Sequence, residues 1–374
     1  RDDVVYDFQS AALEKRVKQF IEDYNAEVDR YKRLDRPENV DDFVHYERVK
    51  WSESLKSNLA RGSYGDFSES NVRDSLYRPF CKESLYFDRL FIERVYVFPS
   101  IFPTAASERE NRMICMTDLG SEKPFMTFFA GTLPDLHLVG AGSSTQCFPF
   151  YVYEEDGSHR RENITDWALE EFRKRTGDAN ISKWDIFYYV YGLLHHPGYR
   201  EKFADNLKRE LPRIPLAGCA APAGSGGSLP AEATHQVTFR AFADAGKKLA
   251  ELHVNYEKLE PWALEFVETP GKPLSYRVED KMRLNKDKTS LKVNPSLTLA
   301  GIPPETCKYR LGNRSALEWV VDQYQVSEDK KTGARSDPNR PDDPEYIVRL
   351  VGQVVRVSLE TVKIVEGLPG SIEG

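Results

Sequence analysis

The fold turns on one stretch, Phe187–Phe203, FYYVYGLLHHPGYREKF. It crowds tyrosines, two adjacent histidines and a Pro-Gly into a short span. Trp184, Phe187, Tyr188, Tyr191 and Leu194 fall on one helical stripe, and Ile186, Val190 and Leu193 cover the next face. A helix apolar nearly all round is a buried one. Its tyrosines bury their rings while each hydroxyl finds a partner. His195 and His196 then arrive at the C-terminal end, where the helix dipole favours a protonated imidazole. Pro197 suits the first turn of a second helix, with Tyr199, Phe203, Leu207 and Leu211 along its inner side. Adjacent histidines project about 100° apart on a helix, a poor two-ligand grip for a metal. The stretch is expected to be a structural helix-turn-helix hairpin. A hydrolase built on His195 or His196 with a nearby carboxylate, and a surface touching nucleic acid, are the alternatives.

Working outward, Leu13, Val17, Phe20, Ile21, Tyr24, Val28 and Tyr31 repeat at helical steps between Ala11 and Leu34. A second helical piece, YERVKWSESLKSNLARG, runs to Gly62, a suitable C-terminal glycine. From Leu76 to Tyr153 the pieces are short, aromatic and β-rich, separated by Gly, Pro and Asp. They predict a mixed or antiparallel sheet with long loops. Thr165 or Asp166 caps the helix TDWALEEFRKRTG. Leu216–Ala233 is Gly/Ser/Ala/Pro-rich and reads as a flexible surface loop. Tyr276–Ile302 returns to short strands around the turns NKDK and NPS, and two helices, SALEWVVDQYQV and PEYIVRLVGQVVRVSLETVKIVEGL, close the pattern. Helices, strands, helices, strands, helices is not a regular βαβ alternation, so the fold class is α+β. The expected divisions are an N-terminal helical segment over 1–75 and a strand-rich recognition region over 76–160. A helical framework over 161–374 follows, with a small hairpin near 276–302.

The chain has 374 residues, 52 basic and 59 acidic, for a formal net charge of -7. A strongly basic balance would signal nucleic acid, and it is absent, though binding needs only a local basic face. Cys81, Cys115, Cys147, Cys219 and Cys307 lie far apart and form no C-x-x-C pair, which argues against a zinc site or a disulfide framework. They suit a reducing cytosol. No run of eighteen apolar residues predicts a membrane helix. The opening RDDVVYDF has no signal-peptide character and no initiator Met, so an excised piece of a longer polypeptide is expected.

Catalytic motifs are missing: no G-x-x-x-x-G-K-[ST] phosphate loop, no dinucleotide fingerprint, no nucleophile elbow, no H-E-x-x-H. VGAGSST, Val139–Thr145, is the nearest Gly-rich turn and lacks the third glycine. Asn-Pro-Pro-Tyr, the adenine-methylation tetrapeptide, is also absent. Several clusters carry residue types that read DNA. Arg78 and Lys82 sit in RPFCK. Arg109, Asn111 and Arg112 sit in SERENR, and Ser143, Ser144 and Gln146 in SSTQC. Lys286 and Lys288 sit in a hairpin turn, and Arg314 follows later. Arg, Asn and Gln read base edges bidentately, while Lys and Ser mostly hold phosphates. HRR at 159–161 and RKR at 173–175 are solvated faces.

Seven ordered blocks go further than composition. They are LYRPFCKESLYFD, QCFPFYVYE, FYYVYGLLHHPGYREKFADNLKRELPRIPL, AGKKLAELHVNYE, GNRSALEWVVDQYQV, DPN and VSLETVKIVEGLP. In this order they resemble the C-terminal specificity region of Type ISP restriction–modification enzymes. Those single-chain bacterial systems join a nuclease, a helicase-like ATPase motor, a coupler, an N6-adenine methyltransferase and a target recognition domain. The resemblance, from about Asp2 to Pro369, implies recognition of a short asymmetric duplex DNA sequence in the bacterial cytoplasm. It also implies a partner methyltransferase domain upstream in the same polypeptide. Catalysis would then lie outside this chain, with S-adenosylmethionine, ATP and Mg2+ serving the parent and no cofactor held here. Two departures stand out. Leu216–Ala233 looks like an insertion, and GARSDPN carries Ala334 and Ser336 where an aliphatic residue and Asn are expected. The rival reading is a scaffold that couples motor and methyltransferase without touching DNA.

Overall fold

The structure, a computed structural model, describes residues 2–37, 39–216, 231–328 and 335–370. Most of the expected loop Leu216–Ala233 lies outside them, as do Cys219 and Ala334.

Lys183–His195 is a helix and Pro197–Lys202 a second. Ser182 and Asp185 form a capping box at the start of the first, which satisfies two orphan amides reciprocally. Against this helix lies another, Ala231–Val254. The two backbones touch: a Cβ added at Gly246 would sit 1.8 Å from the Tyr188 carbonyl oxygen, and one at Gly192 2.3 Å from that of Phe242. Ile186, Phe187, Tyr189, Tyr191, Leu193 and Leu194 are buried, whereas Tyr188 and Val190 are only partly so. The buried arc therefore includes Tyr189, which the Trp184–Tyr188–Tyr191 stripe leaves out. Tyr189 stacks on Phe239 of the crossing helix at 5.0 Å and donates its hydroxyl to the Pro215 carbonyl at 3.0 Å.

The histidines differ from the sequence expectation. His196 caps the second helix through Nδ1, which accepts from the Tyr199 amide at 3.2 Å, and Nε2–H donates to the Pro369 carbonyl at 2.8 Å. His195 Nδ1–H donates to the Tyr191 carbonyl at 2.9 Å. Burial holds both rings below the ordinary histidine pKa, His195 far below. Desolvation outweighs the dipole, so no imidazolium sits at this helix end.

Among the described residues three sheets of three or four strands stand beside three two-stranded ones. Tyr6–Asp7, Cys81–Tyr86, Val72–Arg78 and Leu133–Pro134 lie side by side in that order, antiparallel except for the last pair. This sheet takes strands from both sides of the 75/76 division. Thr127–Ala130, Met113–Thr117 and Thr145–Pro149 form an antiparallel trio. The trio alternates faces, as period-2 pleating demands. Met113, Cys115 and Phe128 enter the largest core, while Ile114 and Phe129 join the tyrosine helix. The third sheet, with order Glu265–Glu268, Leu297–Ala300, Ser290–Lys292 and Arg283–Leu284, extends the hairpin near 276–302 by one edge strand. That strand, Glu-Phe-Val-Glu, is exposed throughout, so no alternation betrays it.

The long N-terminal helix, Ser10–Arg33, buries the seven residues of its sequence stripe. After a short Val40–Phe43 helix, the expected second helical piece covers only Glu53–Arg61, capped by Ser52 and ended by Gly62 at φ 69°. The residues from Tyr46 to Trp51 are not helical. There Trp51 is buried and its indole donates to the His45 carbonyl at 3.0 Å. Thr165 caps Asp166–Thr176. The fold is α+β, with the helices braced behind the first two sheets.

Candidate nucleic-acid interface

A cleft of about 830 Å³ opens between the N-terminal helices and the first two sheets. Its polar floor is organised by Asp135, in the loop after Leu133–Pro134. One Asp135 carboxylate accepts from Arg78 Nη1 at 2.8 Å, from the His137 amide at 2.9 Å and from the Tyr6 hydroxyl at 3.3 Å. Arg78 also donates to the Tyr77 carbonyl at 2.6 Å and lies 3.9 Å from the Tyr77 ring centroid. Its charge is fixed in place and already compensated. His137 donates Nδ1–H to the Ser143 carbonyl at 3.1 Å.

Ser144 and Gln146 line the same cleft. The Gln146 side chain makes no hydrogen bond among the described residues, although it is half-buried on the Thr145–Pro149 strand. An amide with no protein partner facing a cleft is bonded by water there and can exchange that water for a ligand. Among charged lining residues, Lys50, Arg78 and Arg94 are matched by Glu93, Asp118 and Asp135. The cleft is electrically balanced and offers hydrogen bonds more than net charge.

A second, smaller pocket of about 140 Å³ gathers Lys82, Arg109 and Arg112. Lys82 is ion-paired with Glu257, and its ammonium lies 5.0 Å from the Tyr256 ring centroid. Arg112 donates to the carbonyls of Arg109 at 3.0 Å and Asn111 at 2.6 Å. Burial draws its guanidinium pKa down, yet an arginine stays charged. Arg109, on the short Ala105–Glu110 helix, is exposed and meets no carboxylate among the described residues.

The remaining sequence candidates are placed otherwise. Asn111 is wholly buried, and its amide is spent: Nδ2 donates to the Ile101 and Tyr151 carbonyls, and Oδ1 accepts from the Arg112 and Tyr151 amides, all at 2.9 Å. It pins the Ala105–Glu110 helix to the strands, and no ligand reaches it in this fold. Ser143 is buried too, accepting from the Ser121 hydroxyl at 2.8 Å. Lys288 donates to Glu318 at 2.6 Å, and Arg314 lies 3.3 Å from Asp322 and 4.8 Å from the Trp319 ring. Lys286 stays exposed at the hairpin turn. Thus Arg78, Ser144 and Gln146 share one cleft, and Lys82, Arg109 and Arg112 a second pocket. Lys286, Lys288 and Arg314 lie apart from both.

Sequence reasoning missed His137, Arg94 and Tyr96. A lone loop histidine carries no pattern. Val95–Pro99 falls within the stretch expected to be β-rich, whereas Tyr96 has φ 47° and starts a turn into the short Phe98–Ile101 helix. Neither His195 nor His196 hydrogen-bonds a carboxylate among the described residues, so the hydrolase alternative has no supporting geometry. Among those residues no cluster of three or more His, Cys, Asp or Glu could hold a metal ion, and no helix is long and apolar enough to cross a membrane.

A strand-walled cleft with unspent neutral hydrogen-bonding groups, braced by buried helices, is the architecture of a recognition module. The chain belongs to the Type ISP C-terminal specificity domain family, whose model matches residues 1–350. Among solved structures it is similar to a nuclease-deletion mutant of the Type ISP restriction–modification enzyme LlaGI in complex with a DNA substrate mimic (TM-score 0.83, 33% identity). It is also similar to the DrdV–DNA complex (0.81, 32%) and to the ATP-dependent Type ISP enzyme LlaBIII bound to DNA (0.81, 28%). Each match covers 100% of this chain but only 32%, 35% and 23% of the other chain respectively. No curated protein sequence matches it.

Proposed function

We propose that this chain is the target recognition domain of a Type ISP-like restriction–modification enzyme. It would select a short duplex sequence and hold it against an upstream methyltransferase domain, so that the target adenine is turned out of the stack into that domain's pocket. The single observation that carries this reading is Gln146, an amide with no protein partner in a cleft where Arg78 and Asp135 are already paired with each other. A glutamine of this kind pairs bidentately with adenine N6 and N7. Arg109, exposed and uncompensated, supplies a phosphate contact. Catalysis is assigned to the rest of the parent polypeptide, which would use S-adenosylmethionine, ATP and Mg2+. LlaGI, DrdV and LlaBIII, each similar over the full length of this chain, are structures with DNA or a DNA mimic.

The net charge of -7 and the balanced cleft favour a second reading, a scaffold between motor and methyltransferase. Two measurements separate them. Methylation mapping of genomic DNA from cells with and without the full gene gives the recognised sequence. Gel-shift titration on that sequence should then show Gln146→Ala weakening binding by about 1–3 kcal/mol, with selectivity relaxed at one base pair. Unchanged affinity and selectivity would assign readout elsewhere. A full enzyme with unaltered specificity after this domain is exchanged for that of a relative would establish the scaffold.

A further inference from the structure

We propose that Tyr96 and Val97 form an apolar wedge that enters the base stack of bound duplex DNA, an inference that rests on the DNA reading above. The two side chains are 56% and 67% exposed, adjacent in sequence, and on the rim of the same cleft as Gln146. Side by side, they give the rim a contiguous apolar tip. Tyr96 also has φ 47°, a left-handed backbone that costs a non-glycine residue energy. Such strain persists where surrounding structure enforces it and concentrates at binding sites.

The enforcement is visible on both flanks. The Glu93 carbonyl accepts from the Ser54 hydroxyl at 2.8 Å. Beyond the tip, the Ser100 amide donates to the Val97 carbonyl at 2.9 Å, and Ile101 and Phe102 are buried in the main core. A tip held this firmly has its ordering entropy removed before it meets a partner. Arg94, two residues before it, is exposed on the same rim. A cation next to a two-residue apolar tip matches a duplex better than an apolar protein surface. Proteins that kink DNA insert apolar side chains between base steps while basic groups hold the flanking phosphates. The tyrosine ring supplies a stacking face that every base accepts, so the wedge adds affinity and deformation, with Gln146 adding sequence selection.

The test uses the full-length enzyme and short duplexes carrying its mapped site, with 2-aminopurine substituted at successive positions. The parent should raise the fluorescence at one base step. Tyr96→Phe, which keeps the ring, should do the same. Tyr96→Ala should lose that signal and bind roughly five- to 150-fold more weakly, the span expected for one base–aromatic stack. A mismatch at that step, already unstacked, should recover part of the lost affinity. Val97→Ser should give a smaller loss at the same step. The wedge is overturned if Tyr96→Ala keeps parental affinity and fluorescence while Gln146→Ala still alters selectivity, which leaves the DNA reading intact. It is also overturned if Tyr96→Ala lowers the melting temperature and weakens all duplexes alike, the result expected of a tip that contacts protein. Failure of the parent to bind any duplex would instead remove the DNA reading itself.

Discussion

Acid should unfold this chain well before its carboxylates alone would cause it, because imidazoles are buried neutral. His253 is the best-defined case. It is 1% exposed. Nδ1 accepts the Tyr191 hydroxyl at 2.6 Å, and Nε2–H donates to the Thr361 hydroxyl at 2.9 Å. Its ring stacks on Tyr309 at 5.2 Å and Phe128 at 5.5 Å. Burial pushes its pKa down to about 3 from the ordinary 6.5. Between those values the unfolded chain binds the proton and the folded chain does not. Stability from this ring is therefore complete above about pH 6.5 and drains as pH falls toward 3. At about pH 5 the unfolded ring is favoured roughly thirtyfold by protonation, which removes about 2 kcal/mol. His195 and His196 shift in the same direction, also by burial, so 2 kcal/mol is a floor for the trio. Urea unfolding at about pH 7.5 and pH 5 measures the loss. His253→Gln should lower stability at neutral pH yet shrink the acid-induced loss by about 2 kcal/mol. Parallel pH dependences for parent and variant would refute the reasoning.

Further outcomes follow from the same geometry. Gly246→Ala would place a methyl 1.8 Å from the Tyr188 carbonyl. Overpacking of about 1–3 kcal/mol should exceed the roughly 1 kcal/mol gained in helix propensity, and the melting temperature should fall in thermal denaturation. Arg109→Ala should weaken DNA binding across all sequences and reduce the slope of log affinity against log salt by about 1, whereas Gln146→Ala should leave that slope unchanged. Binding titrations over a salt series distinguish the two.

The helices were legible because their burial is one-sided and local. Seven apolar positions in Ser10–Arg33 recur at helical steps, and Thr165 and Gly62 punctuate their helices by side-chain and backbone chemistry that acts within a few residues. The site was less legible because its electrostatics are non-local. Lys82 meets Glu257, Arg78 meets Asp135, and Lys288 meets Glu318. No spacing rule joins partners so distant in the chain, so each cation looked available in the sequence. Asn111 shows the converse. The amide that would suit an adenine is consumed by backbone groups of residues 101, 112 and 151, two of them ten and forty residues away. Tyr96 was hidden by its own residue type, since Val-Tyr-Val favours a strand while the left-handed backbone at Tyr96 ends one.

The proposal that an acidic domain reads DNA is less paradoxical once grip and readout are separated. Phosphate contacts give affinity without sequence information, and base contacts give information at smaller gain. A cleft with strong net positive charge would bind every duplex and dwell on wrong sites. Here Arg78 is neutralised by Asp135 within the floor, so approach to a wrong sequence gains little Coulomb energy. The unspent groups, Gln146 and Ser144, are neutral and return their desolvation cost only when a matching base edge is present. Discrimination is then set by what remains unpaired on a mismatch, a penalty that grows as the cleft excludes water. On this logic, adding charge to the cleft, as Asp118→Asn would, should raise affinity for all duplexes and lower the ratio of specific to non-specific binding. Equal gains on specific and non-specific DNA, with that ratio unchanged, would show that the balance has no part in selectivity.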